Sequence, residues 1–276
     1  MNSLAEAIKA HDGEITPHLH VGWAVWDDLI ARLQREEREG SSDCADEQLW
    51  TFLVACGYAI GGEQGIAELT RILTGSDQKS PASPKIWFEV LPIPPHKREG
   101  EGHLDLALGN IAVRARTGAG IGLEDVESPW ICFCEMKWYA DISVSVKYDV
   151  HRNQLARLVE NALCFQHAGR YADKVYVTLV TPAAFRNARL KSRLYQYKFE
   201  EYKTDRTSLI ADLEACILEK NEQPDWLYPS DLGQRVRSLS LRWATYDELF
   251  ESLPRSQIAE ELQRFWDQYG NYQGRE

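Results

Sequence analysis

The sequence predicts one mixed α/β domain with a central sheet flanked by helices. Three observations lead there. Hydrophobic periodicity changes from helical to strand spacing near residue 86 and returns after 182. Helices therefore come first, a β-β-β-α-β order follows, and helices with one last strand close the chain. The 276 residues suffice for one large core without disulfide staples. Hydrophobic residues at 44% and charged residues at 26% exclude a disordered or collagen-like chain.

Taken in order, residues 23–39 place Trp23, Trp26, Leu29, Ile30 and Leu33 at helical spacing before a charged tail. Residues 40–43 (GSSD) break that helix and offer N-caps for the next, over 45–56. Helical pattern resumes at 63–74 and stops at Gly75, and 76–84 is a loop. IWFEVLPI (86–93) reads as a strand closed by Pro94 and Pro95. HLDLALG (103–109) alternates, with Leu104, Leu106 and Leu108 on one face and His103, Asp105 and Ala107 on the other. Residues 110–128 are Gly-rich and poorly patterned, and Gly118–Gly122 within them reads as a flexible loop. PWICFCEMKW (129–138) is a buried strand, 146–166 an amphipathic helix, and KVYVTLVTP (174–182) a further strand. Helical patterns at 185–199 and 207–219, a strand passing into a helix over 240–253, and a terminal helix at 256–268 complete the chain. Residues 1–276 form a single domain, with a helical extension over 1–62, a core over about 63–182, and C-terminal helices with a last strand over 183–276.

Thirty-one Lys and Arg against 42 Asp and Glu give a formal charge of −11, which excludes a uniformly basic coat but leaves room for a local basic groove. Six cysteines lie mostly in apolar runs without a CxxC pair, so they are expected reduced, in a cytoplasmic protein. The N-terminus shows neither a basic n-region nor an apolar h-region, and the apolar runs at 53–60 and 130–134 are too short to cross a membrane. There is no GxxxxGK[ST], HExxH or GxSxG. His18 and His20 have strand-type spacing for a metal but no obvious partner, and a plain surface pair is the simpler reading.

The unusual residues are charges inside apolar strands. Glu135 and Lys137 project from one face at the end of the most buried strand pattern, and Asp105 sits between two leucines on the preceding strand. Unpaired buried charge costs several kcal/mol, so these positions need a reason. If the two strands are neighbours, Asp105 and Glu135 converge. Two carboxylates with the backbone carbonyl of Met136 make a hard-oxygen site suited to Mg²⁺, with Mn²⁺ as a substitute. A lysine beside them can orient or deprotonate water and offset phosphate charge. The bland alternative is a strand-edge ion pair between Glu135 and Lys137, with Asp105 unrelated.

On these residues, Asp105 in GHLDLAL and Glu135 with Lys137 in CFCEMKW, the chain resembles the PD-(D/E)XK nuclease superfamily over about residues 63–182. The resemblance implies a restriction-endonuclease-like core of helix, three strands, helix and strand. It also implies a metal-dependent nuclease, acting on DNA rather than RNA, in restriction, defence or repair. Asp105 and Glu135 would be metal ligands and Lys137 the catalytic lysine. The residue before Asp105 is Leu104 rather than Pro, and the 30-residue step to Glu135 requires an insertion at 110–128. A first-helix glutamate often joins the metal in this family; Glu63 and Glu68 are the candidates, with Glu47 behind them, and for any one of them a solvated helix charge is the simpler reading. Gln154 matches the helix glutamine of exonuclease-type members, but Leu158 stands where a tyrosine often follows. The competing class is a non-enzymatic scaffold or interaction module that retains the fold.

A polyanion has one candidate surface. Residues 185–206 hold seven Lys or Arg and three Asp or Glu, a local +4 that leaves −15 elsewhere. Arg186, Arg189, Lys191 and Arg193, interleaved with Tyr195, Tyr197 and Phe199, suit phosphate contact with base stacking. The same pattern fits a solvated helix with its aromatics turned inward. No membrane partner is implied, and oligomeric state, a homodimer included, is left open.

Overall fold

The computed structural model describes residues 3–40, 44–97, 99, 102–143, 152–186, 193–223 and 225–270. It opens with α1 (Leu4–Ala10), closed by a Ser3–Glu6 capping box, then α2 (Asp12–Ile15) and the short strand β1 (Leu19–Val21). Three helices follow: α3 (Trp26–Glu39), α4 (Glu47–Ala59) and α5 (Gly62–Thr74). Next come β2 (Ile86–Val90), β3 (Leu104–Gly109), β4 (Ile111–Val113), β5 (Ile121–Leu123) and β6 (Trp130–Met136). Helix α6 (Gln154–Leu163) leads through a small hairpin, β7 (Gln166–His167) and β8 (Arg170–Tyr171), to β9 (Lys174–Thr181). The chain ends with α7 (Ala183–Arg186), α8 (Leu194–Thr204), α9 (Arg206–Glu214), α10 (Leu232–Ser238), β10 (Ser240–Thr245), α11 (Tyr246–Glu251) and α12 (Gln257–Tyr269).

One six-stranded mixed sheet, ordered β1-β2-β3-β6-β9-β10, forms the middle layer. β2, β3 and β6 run antiparallel in succession, while β9 is parallel to both β6 and β10, and β1 is parallel to β2. The parallel step from β6 to β9 requires a crossover, which α6 supplies. Every residue of β6, and all but the first of β9, is buried, as expected of inner strands covered on both faces. On one face Leu106, Leu108, Cys132, Cys134 and Met136 pack under α4 and α5. On the other, Ala107, Ile131, Phe133, Val177 and Leu179 pack under α6 and the C-terminal helices. The residues 49–59 of α4 are buried throughout, because the helix lies between the sheet and α3 and α12.

Several expectations need correction. Residues 1–62 are not purely helical, since β1 adds a parallel edge strand beside β2. Trp23 lies outside α3, which starts at Trp26. The stretch 110–128 carries the β4–β5 hairpin, and Gly109 adopts φ +118° at its entrance, where a Cβ would meet the Trp130 carbonyl oxygen at 2.2 Å. The helix expected at 146–166 is described from Gln154 to Leu163, with 144–151 outside the described residues. All six cysteines are free, five of them buried. Among the described residues no helix is long and apolar enough to cross a membrane.

Candidate active site

The register decides which charges meet. The β3–β6 ladder ends where Leu106 pairs with Cys134, and the next residues, Asp105 and Glu135, come together at that end, near enough for the Glu135 charge to act on Asp105. Phe88 pairs with Leu106 and Val90 with Leu104, and between them Glu89, at φ +53°, interrupts the ladder. Asp105 and Glu135 thus form a carboxylate row across β3 and β6, with Glu89 on the neighbouring strand β2. Asp105 is half-buried and accepts a hydrogen bond from the Met136 N–H at 2.8 Å. Glu135 and Lys137 are 5% and 6% exposed and form an ion pair at 2.9 Å.

Two helix N-termini close on this row. Asp46 caps α4 by accepting from the Leu49 N–H at 3.0 Å, and Arg32 holds the cap in an ion pair. This fixes Glu47 in the first turn of α4, where the helix dipole favours an anion. Its carboxylate accepts from Lys137 Nζ at 3.0 Å and from the Trp138 N–H at 2.8 Å. On the opposite side Asn153 caps α6 through the Ala156 N–H at 3.0 Å and places Gln154 at the first helical position. Gln154 Oε1 accepts from the Ser143 N–H at 3.1 Å, so its amide nitrogen faces Glu135 Oε1 and donates to it. Arg157, one turn further along α6, is close enough for its charge to act on Glu135.

The electrostatics follow. Burial pushes the Asp105 carboxyl well above its ordinary range, the facing Glu135 charge adds to this, and Lys137 with the Met136 N–H pull part of it back. Burial also raises Glu135, against the pull of Lys137 and then Arg157. Both carboxyls are therefore biased toward holding a proton. Burial draws the Lys137 ammonium down, but Glu135, Asp105 and Glu47 outweigh it, and the group stands above the ordinary lysine range. Lys137 is a cation at neutral pH.

An acid held above its ordinary pKa favours the protonated folded state. Its contribution to stability is greatest below the unfolded value, about pH 4, and falls as pH rises toward the folded value. Asp105→Asn removes that fall. In EDTA at pH 7 the variant is expected to unfold at higher urea concentration than the wild type, with the gap closing toward about pH 4. Equal midpoints at pH 7 would show that Asp105 ionises there without penalty.

The remaining candidates lie elsewhere. Glu63 is exposed in the first turn of α5, and Glu68 pairs with Arg71 on the same helix. Neither has a contact with the carboxylate row; the helix glutamate brought there is Glu47. Met136 contributes its N–H to Asp105, while its side chain is buried in the core. Arg186 pairs with Glu248 at 2.8 Å, and Arg193 donates to the Tyr139 carbonyl at 2.7 Å and lies over the Phe185 ring. Arg189 and Lys191 lie outside the described residues. Tyr195 and Phe199 turn inward, leaving Tyr197, 62% exposed, on the surface. His20 Nε2 contacts the Gly118 carbonyl at 3.0 Å. Among the described residues no group of three or more His, Cys, Asp or Glu is disposed to hold a metal ion. The residues missed by sequence reasoning are Arg157 and Glu89; Glu89 did carry a signal, as the one charge inside IWFEV.

No family model, curated protein or solved structure matches the chain.

Proposed function

We propose that the protein is a divalent-metal-dependent phosphodiesterase of the PD-(D/E)XK type, hydrolysing DNA in restriction, defence or repair. The observation that carries this reading is the convergence of Asp105 and Glu135 at the ends of adjacent antiparallel strands, with Lys137 ion-paired to Glu135. The order α5-β2-β3-β6-α6-β9, antiparallel through β6 and parallel from β6 to β9, supports a restriction-endonuclease-like core.

The donor set fits Mg²⁺ or Mn²⁺. Two hard carboxylates, both pushed toward protonation by burial, gain from a cation that takes one or two carboxylates and keeps its waters for phosphate oxygens. Asp105, Glu135 and the Met136 carbonyl would hold the ion, which when bound polarises the phosphoryl group and acidifies water. Lys137 is already protonated, so its role is to orient water and offset charge developing on the phosphate, rather than to remove a proton. Glu47 and Glu135 hold its ammonium in place, and Gln154 holds Glu135. These contacts pre-set the geometry before substrate arrives.

The test is cleavage of plasmid and linear DNA with Mg²⁺ or Mn²⁺, beside calorimetric titration of the metal. Hydrolysis abolished by EDTA and by Glu135→Ala, with metal binding weakened in that variant, is the expected result. A folded wild type that neither binds divalent metal nor cuts DNA would instead be a scaffold that keeps the architecture.

A further inference from the structure

We propose that the site takes a DNA strand with an unpaired base, the base lying on Trp23 and a neighbouring phosphate on Arg157. This rests on the nucleic-acid reading of the carboxylate row and names its substrate class. Trp23 is 57% exposed and belongs to neither apolar core. Its backbone N–H donates to the Glu89 carbonyl at 2.7 Å, which fixes it to the strand residue that also contacts His103. Its indole lies against the His103 ring at 5.1 Å between centroids, and His103 Nδ1 in turn contacts Glu89 Oε2 at 3.2 Å. The platform is therefore anchored from below while its outer face is open, at the end of β3 that carries Asp105.

Arg157 adds the charge. Its guanidinium lies against Gly102, where a Cβ would meet it at 3.6 Å, beside the start of β3, and its charge acts on Glu135. It makes no side-chain hydrogen bond or ion pair among the described residues. Arg186 and Arg193, by contrast, are engaged within the chain. A free guanidinium beside an acidic pair suits a phosphate oxygen, which accepts its planar fork of donors. An indole stacks only on an exposed base face, and inside a duplex both faces of each base are covered by neighbours. The platform thus selects single strands or unpaired ends.

Binding of fluorescent oligonucleotides by anisotropy in Ca²⁺ tests this without requiring cleavage. Wild type is expected to bind a single strand more tightly than a blunt hairpin duplex of the same length. Trp23→Ala should weaken single-strand binding by roughly 5- to 150-fold, with Trp23→Phe restoring most of it. Arg157→Gln should reduce the magnitude of the single-strand slope of log K against log[salt] by about 0.7. Single-strand affinity unchanged in Trp23→Ala, or no oligonucleotide binding by folded wild type, overturns the proposal. Binding that depends on Trp23 and Arg157 in a protein that cuts nothing upholds it and removes the nuclease reading instead.

Discussion

Lys137→Met is expected to lower DNA hydrolysis by about 10²–10⁴-fold while metal binding persists. The substitution keeps most of the side chain's volume and removes its charge. That charge is shared among Glu135 at 2.9 Å, Glu47 at 3.0 Å and the nearby Asp105, and under the proposed reading it is the cation that meets the phosphate. The proposed ligands Asp105 and Glu135 remain, so calorimetry should still register binding when turnover is lost. Lys137→Arg tests whether charge alone suffices. The guanidinium is larger and planar, and it cannot present a point charge where Glu47 and Glu135 converge, so activity should stay low. Circular dichroism on each variant separates lost chemistry from lost fold. Turnover unchanged in a folded Lys137→Met would remove the lysine from the mechanism.

Arg152→Met is expected to cost about 3–5 kcal/mol of stability, a large share of the roughly 5–15 kcal/mol that a domain commands. Arg152 is fully buried just before α6 and pairs with Glu99 at 2.8 Å and with Glu160. Glu160 also accepts from His96 Nε2 at 2.8 Å and from the Tyr228 hydroxyl at 2.6 Å. The network ties α6 to the segment after β2 and to the stretch before α10. Without the guanidinium the Glu99 and Glu160 carboxylates lose the buried cation they share. Urea unfolding reads the loss, and Arg152→Met combined with Glu160→Gln should cost less than the sum of the single changes, because the two share one interaction. A single-variant loss below about 1 kcal/mol would mean that water reaches the carboxylates. α6 carries Gln154 and Arg157, so a loosened network should also lower activity at temperatures where the fold persists.

The sequence by itself determined the four inner strands, the three helices just before them, and that Asp105, Glu135 and Lys137 are charges set inside apolar strands. These are local signals. β6 and β9 are near-continuous apolar runs because both of their faces are covered, and a charge inside such a run stands out for the same reason. β1 left no comparable trace, since three residues are too few to show a period and its pairing depends on β2, more than sixty positions away. Which glutamate joins the row was likewise not local. Glu47, Glu63 and Glu68 all lie on helices, but only the Arg32–Asp46 cap aims the start of α4 at Lys137. Arg186 and Arg193 carry the charge pattern of a phosphate surface, and the fold engages them with Glu248 and the Tyr139 carbonyl. Trp23 fits the apolar stripe of the helix that follows it, yet that helix starts three residues later and leaves the indole in solvent beside His103. Periodicity records how often a side chain must face inward; register and helix caps, fixed by contacts between distant segments, decide which polar groups meet and which are left open to a ligand.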